Sequence, residues 1–217
     1  MRKTETGLSL AATDLSNFHA CRRVTGLDMS AVMEGRERPF RYDPLGDILK
    51  ARGLEHEKDY VDHLKGQNRD VLDLSHLKDP KAAAAATLEA MRAGQDVIVQ
   101  AALLDDDGRW YGRPDVLLRT EKPGTWLWSY EAVDTKLAQE TRGGTILQLG
   151  FYSELLRIAQ GAEAEHFHVV TPRSGPEGET YRTADYAAYF RSVRARLEET
   201  TARPSAGRRA ASAGSRR

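Results

Sequence analysis

The chain has 217 residues, 40% of them hydrophobic and 29% charged, with 32 basic and 32 acidic side chains. This composition suits a globular body with a sizeable core rather than a disordered chain, and no apolar run approaches the ~20 residues of a membrane helix. The lone cysteine, Cys21, excludes an internal disulfide framework and a Cys-ligated zinc or iron–sulfur site within one chain.

Met1 to Ala12 lacks the apolar stretch and small-residue cleavage site of a secretory signal, so a cytoplasmic protein is expected. The zero net charge averages two regions. Residues 203–217 hold five arginines and no acid, which leaves 27 basic against 32 acidic residues in the rest. This Arg/Ala/Ser/Gly segment has no large apolar residue, so 201–217 is expected to be a disordered tail and 8–200 the folded domain. The tail could contact phosphates or be a solvated end.

Thr13-Asp14 reads as the N-cap of a helix running to about Gly35, with Leu15, Phe18, Val24 and Leu27 near one face. After a polar loop, a second helix is expected from about Asp43 to Lys65. Its apolar positions are Leu45, Ile48, Leu49, Tyr60, Val61 and Leu64, and Gly53 should bend or divide it. Val71 to Leu74 suits a short strand, and Asp79-Pro80 starts a helix that stops at Gly94. Val97 to Leu104 is β-branched and apolar, hence a strand. Asp105-Asp106-Asp107-Gly108 turns the chain into a returning strand, Trp110 to Arg119. Trp126 to Lys136 is a third strand, Gly144 to Gln160 a helix, Glu165 to Thr171 a fourth strand, and Thr183 to Glu199 a last helix. The order of helix, three-stranded meander, helix, strand predicts an α/β fold around a small mixed sheet.

Polar residues interrupt the apolar pattern of the strands. Asp115 follows Gly112-Arg113-Pro114, and Asp134 and Lys136 end the third strand on one face, since a strand has period two. If the two strands pair, two carboxylates and an ammonium share a small volume. The carboxylates repel unless a cation joins them, and such donors suit Mg²⁺ or Mn²⁺. Metal and lysine together make a phosphodiesterase centre. The spacing alone also fits a strand-end salt bridge. Gln148 and Tyr152 share a face of the following helix, where a Gln within an apolar run needs a fixed partner. His56, in Gly53-Leu54-Glu55-His56-Glu57, could add an imidazole ligand. Glu131 points to the opposite face from Asp134 and is left out of the site. Trp110, Tyr111, Trp126, Trp128 and Tyr130 suit core packing better than base stacking, and His166 and His168 suit ordinary strand positions. Cys21 suits a small buried hydrophobe.

The ordered set of His56, Gly-Arg-Pro-Asp115, Asp134-Thr-Lys136 and Gln148-x-x-x-Tyr152 resembles the PD-(D/E)xK nuclease superfamily, in its RecB-like branch. Ser9-Leu10-Ala11-Ala12-Thr13-Asp14-Leu15 and Val133-Asp134-Thr135-Lys136-Leu137-Ala138 resemble bacterial RecB-like nucleases, over about residues 8–172. The resemblance implies a restriction-endonuclease-like core with extra N- and C-terminal helices. It implies a Mg²⁺- or Mn²⁺-dependent deoxyribonuclease, exo or endo, in repair, recombination or defence. His56, Asp115, Asp134 and the Thr135 carbonyl match its metal ligands, and Lys136 the catalytic lysine. Gln148 and Tyr152 match the motif that braces the lysine and contacts DNA, Arg113 is a further DNA contact, and Glu57 is an auxiliary acid. Many relatives carry four cysteines around an iron–sulfur cluster; here only Cys21 is present, so no cluster is expected. A helicase or RNase H-like domain on another chain is an implied partner, and a non-catalytic module binding nucleic acid or such a partner is the alternative.

Overall fold

The computed structural model describes residues 1–4, 7–39 and 42–202, so the expected tail lies almost wholly outside the described residues. Two short strands, β1 (Arg2–Thr4) and β2 (Gly7–Ala11), lead into α1 (Ala12–Ala20) and α2 (Arg22–Glu34). The single helix expected from Thr13 is therefore two, parted at Cys21, whose backbone is extended (φ −161°, ψ 107°). Helix α1 also starts earlier than expected. Ala11 is its N-cap residue, and Asp14 accepts the Ala11 amide at 2.8 Å instead of acting as the cap itself. The break ends the common apolar face: Leu15 and Phe18 enter the core, while Val24 and Leu27 on α2 are exposed. Cys21 is exposed too, contrary to the expectation of a buried hydrophobe.

Helix α3 (Pro44–Gly66) begins as expected, with Pro44 in its first turn and the Asp43 carboxylate accepting the Gly46 amide at 3.1 Å. Gly53 does not divide it. A glycine inside a helix costs about 1 kcal/mol relative to alanine, which is too little to stop a helix of 23 residues. Only its C-terminal half packs on the sheet, through Tyr60, Val61 and Leu64; Leu45, Ile48, Leu49 and Leu54 stay exposed. Strand β3 (Val71–Asp73) follows, then α4 (Pro80–Ala93), capped by Asp79 and ended by Gly94 in the left-handed conformation.

Two expected strands are each broken in the middle. Val97 to Leu104 yields β4 (Val97–Val99) and β5 (Leu103–Leu104), and Trp110 to Arg119 yields β6 (Trp110–Gly112) and β7 (Val116–Thr120). The first break falls at Gln100, a non-glycine residue with φ +52°. The second falls at Arg113-Pro114-Asp115, where proline has no amide to give a ladder. Each pair of fragments then serves two sheets: β5 pairs with β6, and β4 with β7, both antiparallel. The turn at Asp105 forms as expected, with Gly108 at φ +65° and the Asp105 side chain accepting the Trp110 amide.

Strand β8 (Ser129–Thr135), α5 (Gly143–Gln160), β9 (His166–Val170), β10 (Glu179–Arg182) and α6 (Thr183–Ala202) complete the described chain. The larger sheet runs β10-β9-β8-β7-β4-β3, and the smaller β1-β2-β6-β5. Within the larger sheet β4, β7 and β8 are an antiparallel meander and β9 lies parallel to β8. The fold is thus mixed α/β, as expected. Strand β10 is an addition, defined by its antiparallel pairing with β9 rather than by any apolar pattern of its own.

Each face of the larger sheet is covered. On one, Ile98, Leu117, Tyr130, Ala132, Phe167 and Val169 join Leu147, Phe151 and Leu155 of α5 in the main core. On the other, Val99, Val116, Val133 and Val170 meet Tyr60, Val61 and Leu64 of α3. Trp110 and Tyr130 are buried, so these two aromatics serve packing. Alternation along β8 places Ala132 and Asp134 toward α5, and Glu131 and Val133 toward α3.

Candidate active site

Strands β7 and β8 pair with Val116 opposite Val133. Asp115, one residue before Val116, and Asp134, one after Val133, therefore fall at the same end of adjacent strands. Lys136 follows on the face of Asp134, and its ammonium forms an ion pair with Asp134 Oδ2. Asp134 is fully buried, whereas the Lys136 side chain is about a third exposed at 32%. The three residues singled out from the strand pattern are thus brought together.

Their supports come from three directions. Asp115 Oδ2 accepts both the Thr135 amide (2.8 Å) and the Thr135 hydroxyl (3.0 Å). Thr135 thereby orients Asp115, a role its expected carbonyl contribution did not include. From α5, Gln148 Nε2 donates to Asp134 Oδ1 (3.0 Å) and to the Tyr152 hydroxyl (3.0 Å). The Tyr152 hydroxyl in turn donates to the Arg113 carbonyl (3.1 Å). Gln148 and Tyr152 therefore tie the acid of β8 to the loop before Asp115. They brace Asp134 rather than the lysine, and Tyr152, 4% exposed, lies beneath the site and not on a substrate-facing surface. Gly112 allows this close packing: a Cβ there would lie 2.8 Å from Leu155 Cδ1 and 2.9 Å from Tyr152 Cδ1.

Helix α3 supplies the remaining groups. The His56 Nε2 is 3.1 Å from the Val170 carbonyl, which also accepts the Lys136 amide at 2.9 Å. His56 thus sits beside the lysine with one ring nitrogen already engaged. Glu57, half-buried, accepts a 2.5 Å hydrogen bond from Gln100 Nε2. Arg113 donates through Nε to Gln100 Oε1 (3.1 Å) and through Nη1 to the Leu77 carbonyl (3.3 Å). Its guanidinium is therefore turned into this cluster through Nε and Nη1. Gln100 had no place among the expected site residues. Its one signal was a lone amide within the apolar run Val97 to Leu104.

Electrostatics mark the centre. Burial, with the Asp115 charge adding to it, pushes the Asp134 carboxyl up to about 7; the Lys136 ammonium opposes this without cancelling it. Burial also raises Glu57 above the usual carboxylate range, against the Gln100 hydrogen bond and with Asp115 and Asp73 adding to it. Asp134 Oδ2 is buried, and the Lys136 ammonium is its partner. Among the described residues no three His, Cys, Asp or Glu side chains stand together as a ready-made metal cage. Mg²⁺ does not require one, because it binds through one or two carboxylates and keeps several waters. Two acids at one strand end, one with its buried Oδ2 held only by the Lys136 ammonium, fit such an ion.

On the opposite face of β8, Glu131 lies apart from the site, as expected. Its carboxylate accepts the His166 amide (2.8 Å) and pairs with His168 Nε2 (2.9 Å). Burial would raise it, but the His168 and His166 interactions together hold it below the usual range. The two histidines are therefore partners of a buried acid rather than ordinary strand positions.

No family model matches the chain, and no curated protein matches it. No helix among the described residues is long and apolar enough to cross a membrane.

Proposed function

We propose that the chain is a cytoplasmic, metal-dependent DNA nuclease of the RecB-like kind with a restriction-endonuclease-like core. The succession of α3, the β4-β7-β8 meander, α5 and the parallel strand β9 supports the core assignment. The single observation that carries the functional reading is the meeting of Asp115, Asp134 and Lys136 at one end of β7 and β8.

Asp115, Asp134 and the Thr135 carbonyl would hold Mg²⁺ or Mn²⁺, joined by His56 if its ring leaves the Val170 carbonyl. The bound ion supplies stabilisation of charge on the phosphoryl and leaving oxygens. Lys136 orients the attacking water and stabilises the charge that develops on the phosphorus centre. Thr135 aims Asp115 and Gln148 aims Asp134, so both acids keep their positions when substrate arrives. DNA is the substrate by resemblance, and a helicase or RNase H-like domain on another chain is the proposed partner.

The test is incubation of the purified chain with linear single- and double-stranded DNA, beside a generic phosphate ester, in Mg²⁺, Mn²⁺ or chelator. Metal-dependent loss of DNA is expected. Ester hydrolysis without DNA cleavage, or no cleavage in either metal, would overturn the reading.

A further inference from the structure

Gln100 occupies an unusual backbone position. With Asn68 it is one of two non-glycine residues among those described with positive φ, at +52°. That region favours glycine, and other side chains found there tend to cluster at functional sites. Its backbone fixes the end of β4 to the site, because its amide donates to the Asp115 carbonyl at 2.7 Å. Its side chain joins two elements that are otherwise separate. The amide nitrogen holds Glu57 of α3, and the amide oxygen takes the Arg113 guanidinium from the loop before Asp115. A glycine would satisfy the backbone and supply neither bond.

We propose that Gln100 is a positioning residue for the metal-dependent centre, acting through Glu57: it ties that carboxylate to the loop that carries Asp115. This rests on the nuclease reading above. Glu57 held there is placed to accept hydrogen bonds from water around a cation bound by Asp115 and Asp134, and released from Gln100 it swings into solvent. Outer partners of this kind typically contribute 10–100-fold to metal affinity.

The test uses the full chain and Mn²⁺ alone, with binding read by electron paramagnetic resonance and folding by thermal melting. Gln100→Gly keeps the backbone conformation and deletes the clamp. It is expected to melt no lower than wild type and to bind Mn²⁺ about tenfold more weakly. Glu57→Gln should weaken binding by a similar factor. The double variant should match Glu57→Gln alone, because groups that act as a unit are not additive. Gln100→Gly binding within twofold of wild type, or a double variant whose losses multiply, would overturn the positioning role. Asp115→Asn separates this outcome from failure of the underlying reading. If Asp115→Asn abolishes binding while Gln100→Gly does not weaken it, only the role of Gln100 falls. If wild type binds no Mn²⁺, or Asp115→Asn binds as wild type does, the metal centre falls and the positioning role with it.

Discussion

Asp134 places three demands on one carboxylate. It is fully buried, it shares its surroundings with Asp115, and its oxygens are divided between Gln148 and Lys136. Burial favours its protonated form, so in the metal-free protein the native state binds this proton more tightly than the unfolded chain does. Its stabilising contribution is complete below the unfolded value of 3.8 and is lost as pH rises through about 7. The full difference is on the order of 4 kcal/mol. Asp134→Asn is therefore expected to raise the melting temperature by several degrees in chelator at pH 8, to flatten its pH dependence between these two values, and to abolish cleavage. A variant that melts lower than wild type under those conditions would contradict the electrostatic account. Asp134 and Lys136 were legible in the sequence because strand alternation alone puts them on one face. The bond from Thr135 to Asp115 was not, because it depends on how two strands register across a turn.

At the scale of the elements, the packing of α5 against the strands holds the site together. Gly112 lets α5 approach β6, and Gly112→Ala should cost ~1–3 kcal/mol by overpacking against Leu155 and Tyr152. Because Tyr152 carries the Arg113 carbonyl, activity should fall further than the chemical denaturation midpoint alone would indicate. On the other face, Glu131→Ala leaves the His166 amide and the His168 ring without their acceptor, at a cost of ~1–3 kcal/mol in urea unfolding. No change in stability would show that those bonds are exchanged for water without loss. Helices α4 and α5 were legible because proline, glycine and apolar spacing mark their ends. The breaks at Gln100 and at Arg113-Pro114-Asp115 were not. Each lies inside a run with good strand propensity, and the chain divides there because its two halves pair in different sheets. These breaks are also where the site gathers, since leaving one sheet frees Gln100 and Asp115 from regular ladders.

Across the whole molecule, two acids and a lysine meet at one strand end, with the main core packed behind them. The order of elements from α3 to β9 was readable from periodicity, and it brings together residues nearly eighty positions apart, from Glu57 to Lys136. What periodicity did not separate is which apolar residues meet a partner. Leu45, Ile48 and Leu49 have the spacing of a buried face and are exposed, because only the distal half of α3 reaches the sheet. The cleavage rate of linear DNA in Mn²⁺ by wild type beside Lys136→Ala, both verified as folded by melting, tests the account most directly. Lys136 is partly exposed and adds no apolar packing, so its removal should leave the fold in place at some cost in stability from the unpaired Asp134, and reduce cleavage at least a hundredfold. Cleavage by Lys136→Ala at the wild-type rate would contradict the assignment of the centre.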